Sequence, residues 1–285
     1  MKKWLLITSL FIISASLSGQ FIKGIIIDAT DSIPLQYASI GINNTSIGSI
    51  TNELGEFSLE TKKSTLKATV VFSMLGYESK TFPIQELTHK FNTIKLERKS
   101  FNIEEVIITP NIKSYEIGTT SFSLGGGVCG WGGVKFGQGH EIGIKLNLGE
   151  KFVKPISLSF RIHKQSFDST MLRLHIRDIK NDQPNNELID TNILFTATKS
   201  SGWIDIPLDK YDIYLKNEVV LSLEWIKVWG LNEKKMVKMH REKEKSAVFL
   251  LSTKNKCGET YIKRGVAANW KNSKNSSPSI FITVR

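Results

Sequence analysis

A chain of 285 residues, 40% hydrophobic and 23% charged, is long for one domain and comfortable for two, each large enough to bury a core without staples. The formal net charge of +11 is unevenly held: residues 20–110 carry nine bases and ten acids, residues 111–285 carry 27 and 17. This asymmetry suits either a solvated basic surface or contact with an anionic one, and it specifies neither lipid, polysaccharide nor nucleic acid.

Lys2-Lys3, the apolar run Trp4 to Ile13 and the small residues of Ser16-Leu17-Ser18 predict a signal peptide over 1–19. The apolar run is well short of the ~20 residues that cross a bilayer, so no transmembrane segment is expected in the mature chain. No Cys follows the run, which disfavours a lipoprotein anchor. Export in turn disfavours a nucleic-acid partner.

Phe21 to Asp28 is β-rich and ends at the turn-prone stretch to Pro34. Tyr37 to Ile42 alternates with a period of two, which puts one side of a strand into a core. Asn43-Asn44-Thr45 breaks it, Ser49-Ile50-Thr51 is a second short strand, and Gly55 is suited to a tight turn before Glu56 to Leu59. Leu66 to Met74 is apolar enough for a central strand. Gly76 bends the turn Leu75 to Glu78, a return strand runs to Phe82, and Phe91 to Leu96 and Ile103 to Ile108 complete a small sandwich of antiparallel sheets.

These residues carry a resemblance. Gly24-x-Ile26 with Asp28, Ile33-Pro34-Leu35-x-x-Ala38-Ser39-Ile40, Gly48-Ser49-x-Thr51-Asn52-x-x-Gly55-x-Phe57 and Leu75-Gly76-Tyr77-Glu78, in that order, resemble the carboxypeptidase regulatory-like domain. That resemblance covers about 20–97 and implies a transthyretin-like β-sandwich of an exported bacterial protein, in the periplasm or at the outer-membrane surface of a Gram-negative cell. Glu104 to Ile108 is similar to the segment that leads from this domain to the plug of TonB-dependent outer-membrane transporters. Some 175 residues remain, too few for a plug and a barrel, so a transporter role is not implied. The resemblance transfers no catalytic residue and no zinc site.

Thr109-Pro110-Asn111 marks the boundary, because Pro110 cannot extend a ladder. The expected units are therefore a sandwich over 20–108, a linker over 109–118 and a second domain over 119–285. Gly125 to Gly139 holds eight glycines in fifteen positions without the strand, helix and Lys-Ser/Thr end of a phosphate loop. It reads as a surface loop or a strand edge passing close to another element. Strands follow at Glu141–Leu148, Ile156–His163, Met171–Ile179, Trp203–Ile206, Val219–Ile226, Ala247–Ser252 and Ser279–Val284, with Asp182–Asn186 a loop. The fold class is all-β, the second unit a larger jelly-roll-like sandwich. Segments from His140, Arg177 and Ser222 resemble the C-terminal halves of other exported proteins of no known activity.

Chemistry is sparse. No Gly-x-Ser-x-Gly elbow occurs, and the five histidines, 89, 140, 163, 175 and 240, form no metal-ligand spacing. His163 and His175 could meet on adjacent strands, an arrangement more often incidental than metal-binding. No metal or cofactor is expected. Glu224 is the one acid inside a strongly apolar strand, either outward-facing or a paired structural charge. Sequence spacing does not test paired carboxylates of the glycosidase kind, whose separation is spatial.

Five tryptophans, 131, 203, 225, 229 and 270, fall in the second half, where aromatic residues either fill a core or offer platforms to sugar rings. Trp225 and Trp229 would share one side of an extended strand. Trp131 and Trp229, beside Gly-bearing loops, are the platform candidates. The run Asn232 to Lys245 suits a solvated hairpin or loop, or an electrostatic contact through Lys234, Lys235, Lys238 and Arg241. In an oxidising compartment Cys129 and Cys257 form a disulfide or remain two buried thiols. The function expected is non-enzymatic binding or assembly with an envelope protein or polysaccharide. The alternatives are a carbohydrate-binding module or, more remotely, a hydrolase with strand-borne carboxylates.

Overall fold

The computed structural model describes residues 20–88, 90–99, 113–125, 127–132, 138–238 and 245–285. The signal peptide, the strand expected over Ile103–Ile108, residues 109–112 and Arg241 lie outside them. The first unit contains β1 (Gln20–Asp28), β2 (Ser39–Ile42), β3 (Gly48–Ile50), β4 (Glu56–Thr61), β5 (Thr69–Ser73), β6 (Lys80–Pro83) and β7 (Phe91–Leu96), with one helical turn at Ile84–Leu87. They form two sheets, β4-β1-β7 and β3-β2-β5-β6.

Alternation explains the packing of the first sheet: β4 and β7 each bury every second residue, Phe57 and Leu59 on one and Ile94 and Leu96 on the other. Phe72 meets Phe57 across the interior and Phe82 on the neighbouring strand edge-on, with ring centroids 5.4 and 6.0 Å apart, the geometry aromatic quadrupoles favour. One expectation needs correction, since β7 runs parallel to β1 and the sandwich is not wholly antiparallel. A parallel partner requires a long crossover, here the whole second sheet and the Ile84–Leu87 turn.

The second unit comprises β8 (Tyr115–Gly118), β9 (Val128–Gly132), β10 (His140–Asn147), β11 (Pro155–Gln165), β12 (Phe167–Lys180), β13 (Gln183–Glu187), β14 (Leu194–Ala197), β15 (Gly202–Pro207), β16 (Glu218–Leu231), β17 (Val237–Lys238), β18 (Lys245–Ser246), β19 (Val248–Arg264), β20 (Trp270–Pro278) and β21 (Ile280–Val284). One face of the sandwich is β13-β12-β16-β10, continued through the later part of β19 to β20. The other is built on β11 with β15 and β21, and the early part of β19 joins it to β9. Thus β19 belongs to both sheets. The linker expected over 109–118 ends sooner, because Tyr115–Gly118 pairs with β21.

Trp225 lies at the centre of the core, 5.6 Å from the Trp131 ring and 5.9 Å from Phe167, and Trp131 also packs on Phe249 at 5.4 Å. The expected loop Asp182–Asn186 is a hairpin instead. Asn181 and Asp182 both take positive φ, 52° and 57°, the signature of a two-residue primed turn. Gln183–Glu187 then pairs back onto β12.

The two sandwiches share a seam. β2 is buried on both faces, because Ile40 and Ile42 enter the first core while Ser39 and Gly41 meet the second unit. A Cβ at Gly41 would lie 2.7 Å from the Ala267 nitrogen, closer than side chains tolerate, so glycine permits the approach. Gly76, with φ 82°, stands likewise against the Asp190 carbonyl. Asn44 N–H donates to the Ala267 carbonyl at 2.9 Å, Lys227 Nζ pairs with Glu53 at 2.6 Å, and Leu75 packs into the core of the second unit.

Candidate functional site

Along β12 the sequence Leu172-Arg173-Leu174-His175-Ile176-Arg177 alternates strictly. The apolar members face the core, and the period of two sends Arg173, His175 and Arg177 to the opposite face. That face is nevertheless buried, because the first sandwich and β13 cover it. Register sets the partners. Arg173 stands opposite Glu224 on β16, Glu224 opposite Glu141 on β10, and Glu141 opposite Lys263 on β19. A row of four charges therefore crosses four strands, and directly opposed residues are the pairs that interact most strongly in a sheet.

Each charge is matched. Arg173, 1% exposed, donates Nη1 to Glu224 Oε2 at 2.8 Å and Nε to Asn192 Oδ1 at 2.8 Å. It also reaches into the first unit, to Ser39 Oγ at 3.2 Å and to the Tyr37 carbonyl, and Ser39 Oγ donates to Glu224 Oε1 at 3.0 Å. Glu141 accepts from Arg177, Lys263 and Ser222. Trp270 lies against Arg177 and Lys263, its ring centroid 5.4 and 5.2 Å from their cationic groups.

His175 sits between two carboxylates, Nδ1 2.7 Å from Glu187 Oε1 and Nε2 2.9 Å from Glu224 Oε2. Both ring nitrogens can donate only in the imidazolium. Burial and the Arg177 guanidinium, whose Nη2 lies 2.9 Å from Nδ1, lower its pKa, but the Glu187 and Glu141 charges outweigh them and hold it above the ordinary value. For Glu141, Glu187 and Glu224 burial works upward, and the facing arginines, with Lys263 and His175, bring all three below the usual carboxylate range.

Above this floor lies a cavity of about 360 Å³ between the units. Met74, Leu75, Tyr77, Glu78 and Lys99 of the first unit line it, together with Asn185 and Glu187 of β13. Tyr77 is anchored by its hydroxyl, which donates to the buried Asp28 at 2.9 Å. One acceptor is unspent: Glu187 Oε2 is shielded from solvent and has no hydrogen-bond partner.

The expected sites fare unevenly. Trp131 is 3% exposed inside the core, so it offers no platform to a sugar. Its strand is held by β19, and Gly130 faces the Phe249 carbonyl with no room for a Cβ. Trp229 is 38% exposed, with Lys227 Nζ 5.0 Å from its ring centroid. Trp225 and Trp229 do not share a side, because the pairing slips by one residue between Trp225 and Lys227. A bulge reverses the alternation beyond it.

Lys234 and Lys238 are exposed and Lys235 half-buried; Lys238 pairs across β17 and β18 with Lys245. The run is therefore the base of a hairpin, as one expectation had it. Cys129 and Cys257 are free thiols, which overturns the disulfide. Cys129 faces Leu251, and Cys257 lies six residues farther along β19, roughly 15–20 Å at the rise of a strand, against the ~7 Å limit for a bridge. His163 is exposed on β11, which is not paired with the strand of His175.

Among the described residues no group of three or more His, Cys, Asp or Glu could hold a metal ion, and no helix is long and apolar enough to cross a membrane. The charged floor was missed in the sequence apart from Glu224. Its signal was the Arg-x-His-x-Arg alternation within an apolar strand, matched by lone acids in two other strands.

Two solved structures similar to the chain are of one protein. The first, "the cysteine protease and lectin-like domains of Cwp84, a surface layer associated protein of Clostridium difficile", is 10% identical with a TM-score of 0.38, and the alignment covers 88% of this chain and 59% of that one. The second, the clostridial cysteine protease Cwp84 after propeptide cleavage, is 8% identical with a TM-score of 0.39, covering 94% and 70%. This chain thus spans less than two thirds of the first structure. No curated protein matches the chain. Residues 22–108 match the family model of the CarboxypepD_reg-like domain, and the first sandwich is therefore a carboxypeptidase regulatory-like domain.

Proposed function

We propose that the chain is an exported, non-enzymatic binding protein of the cell envelope, whose ligand occupies the cleft between the two sandwiches. The cleft carries this reading. Its volume, about 360 Å³, falls at the lower end of the ~300–1,000 Å³ of small-ligand sites. Both units form its walls, and its floor is held rigid by paired charges before any ligand arrives, which lowers the entropic cost of binding.

The electrostatics favour binding over hydrolysis. A glycosidase needs one carboxyl kept protonated by a raised pKa, whereas Glu141, Glu187 and Glu224 are all lowered by adjacent cations. Carboxylates already neutralised by arginine, lysine and imidazolium are poor proton donors and poor nucleophiles. They serve well as a fixed polar surface.

The test is a thermal-shift screen of the full chain against envelope components: peptidoglycan fragments, oligosaccharides and short peptides. A ligand at about 100 times its Kd stabilises by about 2.7 kcal/mol, which raises Tm by several degrees. The rise should vanish in Asn185→Trp, which fills the cleft mouth from an exposed position. Ligands that stabilise both proteins equally, or turnover of any glycan, contradict the reading. Export is tested by the mass of the mature protein, expected to begin near Gln20; a product beginning at Met1 goes against it.

A further inference from the structure

The glycine-rich run 125–139 lines no part of the cleft, yet it holds β9, whose only strand partner among the described residues is β19. Two carbonyls fix the direction of its backbone. Val248 and Ser252 of β19 accept from Ser166 and Ser279 on the side away from β9, each at 2.8 Å, so Phe249 and Leu251 turn towards β9, where they stand opposite Trp131 and Cys129. By the alternation of an antiparallel ladder, the N–H and C=O groups of Val128, Gly130 and Gly132 then point the other way, to the free edge. All three residues are exposed.

Natural sheets guard such edges with charge, proline or a bulge. This chain does so elsewhere: β6 carries Lys80 and Pro83, β15 Asp205 and Pro207, β20 Lys271 and Lys274, and β13 Pro184 with a slip in its register. β9 has none of these. Its pairing runs without a slip, Gly130 and Gly132 hold no side chain against a neighbour, and residues 117–134 include no Asp, Glu, Lys, Arg or His. Val128 is 43% exposed and the nearby Leu124 93%. An open row of backbone donors and acceptors calls for another extended strand, and its neutrality says whose. We propose that a second copy of the chain pairs with β9 antiparallel, across a two-fold axis. Laid against itself, the strand meets no like charge, whereas a foreign strand finds no charge there to select it. The pairing is isologous and consumes the same edge of both copies, so it stops at two, and it uses no residue of the cleft.

Sedimentation velocity of the full chain, over a dilution series in the micromolar range, should show a monomer passing to a dimer. Val128→Pro removes an outward N–H from each copy at the first residue of the strand, where proline is tolerated and no bond to β19 is lost. It should weaken the dimer at least about tenfold, with far-ultraviolet circular dichroism unchanged. Hydrogen exchange puts the same question without a substitution. The amides of Val128, Gly130 and Gly132 should exchange slowly in the concentrated protein and fast after dilution, while those of Cys129 and Trp131, which face β19, stay slow in both. A chain that is monomeric throughout, a dimer that Val128→Pro leaves intact, or outward amides that exchange freely in the dimer would overturn the proposal.

Discussion

Arg173→Met removes the cation that joins the two sandwiches while keeping most of the side-chain volume. The structure sets the size of the effect. Arg173 is 1% exposed and Glu224 2%, and the substitution strips Glu224 of its guanidinium and Ser39, Asn192 and the Tyr37 carbonyl of their donor. Breaking one side of a buried ion pair costs about 3–5 kcal/mol, mainly because the partner is left charged and undersolvated. At ~2–4 °C per kcal/mol for a unit of this size, Tm should fall by about 6–20 °C. Urea denaturation followed by tryptophan fluorescence reports the second unit, which holds five of the six tryptophans. Adding Glu224→Gln should recover part of the loss, a coupling of about 1–3 kcal/mol. A cost below about 1 kcal/mol for Arg173→Met alone would refute the seam as described.

The other predictions concern pH, thiols and packing. His175 has a raised native pKa, so its contribution is fully present below the ordinary value of about 6.5 and is lost as pH rises through the raised value. The urea midpoint should fall across that window in the parent chain and stay flatter in His175→Gln; equal slopes would contradict the imidazolium. His140, whose pKa burial lowers to about 4, acts below pH 6.5 and does not confound the test. Thiol titration of the denatured, unreduced protein should find two free thiols per chain, and none would contradict the separation of Cys129 from Cys257. Trp131→Ala should cost about 3–5 kcal/mol, while Trp229→Ala should stay within about 1 kcal/mol; a cost for Trp131→Ala as small as that would contradict its place in the core.

The first sandwich was legible because its strands bury one face and expose the other, so Phe57, Leu59, Ile94 and Leu96 announce themselves by period two. β2 carried the same signal with an additional meaning. Ser39 and Gly41 look like the exposed side of a strand, yet they are small because a second domain lies against them. The later parts of β19 and all of β20 were illegible for the opposite reason: Lys254 to Glu259 and Lys271 to Ser277 are polar, and only the ladder between them makes them strands. The bulge at Ile226 was hidden as well, since nothing in Trp225 to Trp229 marks the slip that turns Trp229 outward. The charged floor lay in plain alternation, but its meaning depends on register between residues 51 to 122 apart in the chain, which no local pattern encodes.

The most direct test is where a bound ligand lies. A crystal structure of the full chain soaked with the ligand that gives the largest thermal shift should show it in the cleft lined by Tyr77 and Asn185. A ligand resting on Trp229 or on the basic hairpin at Lys234, with the seam cleft empty, would contradict the account.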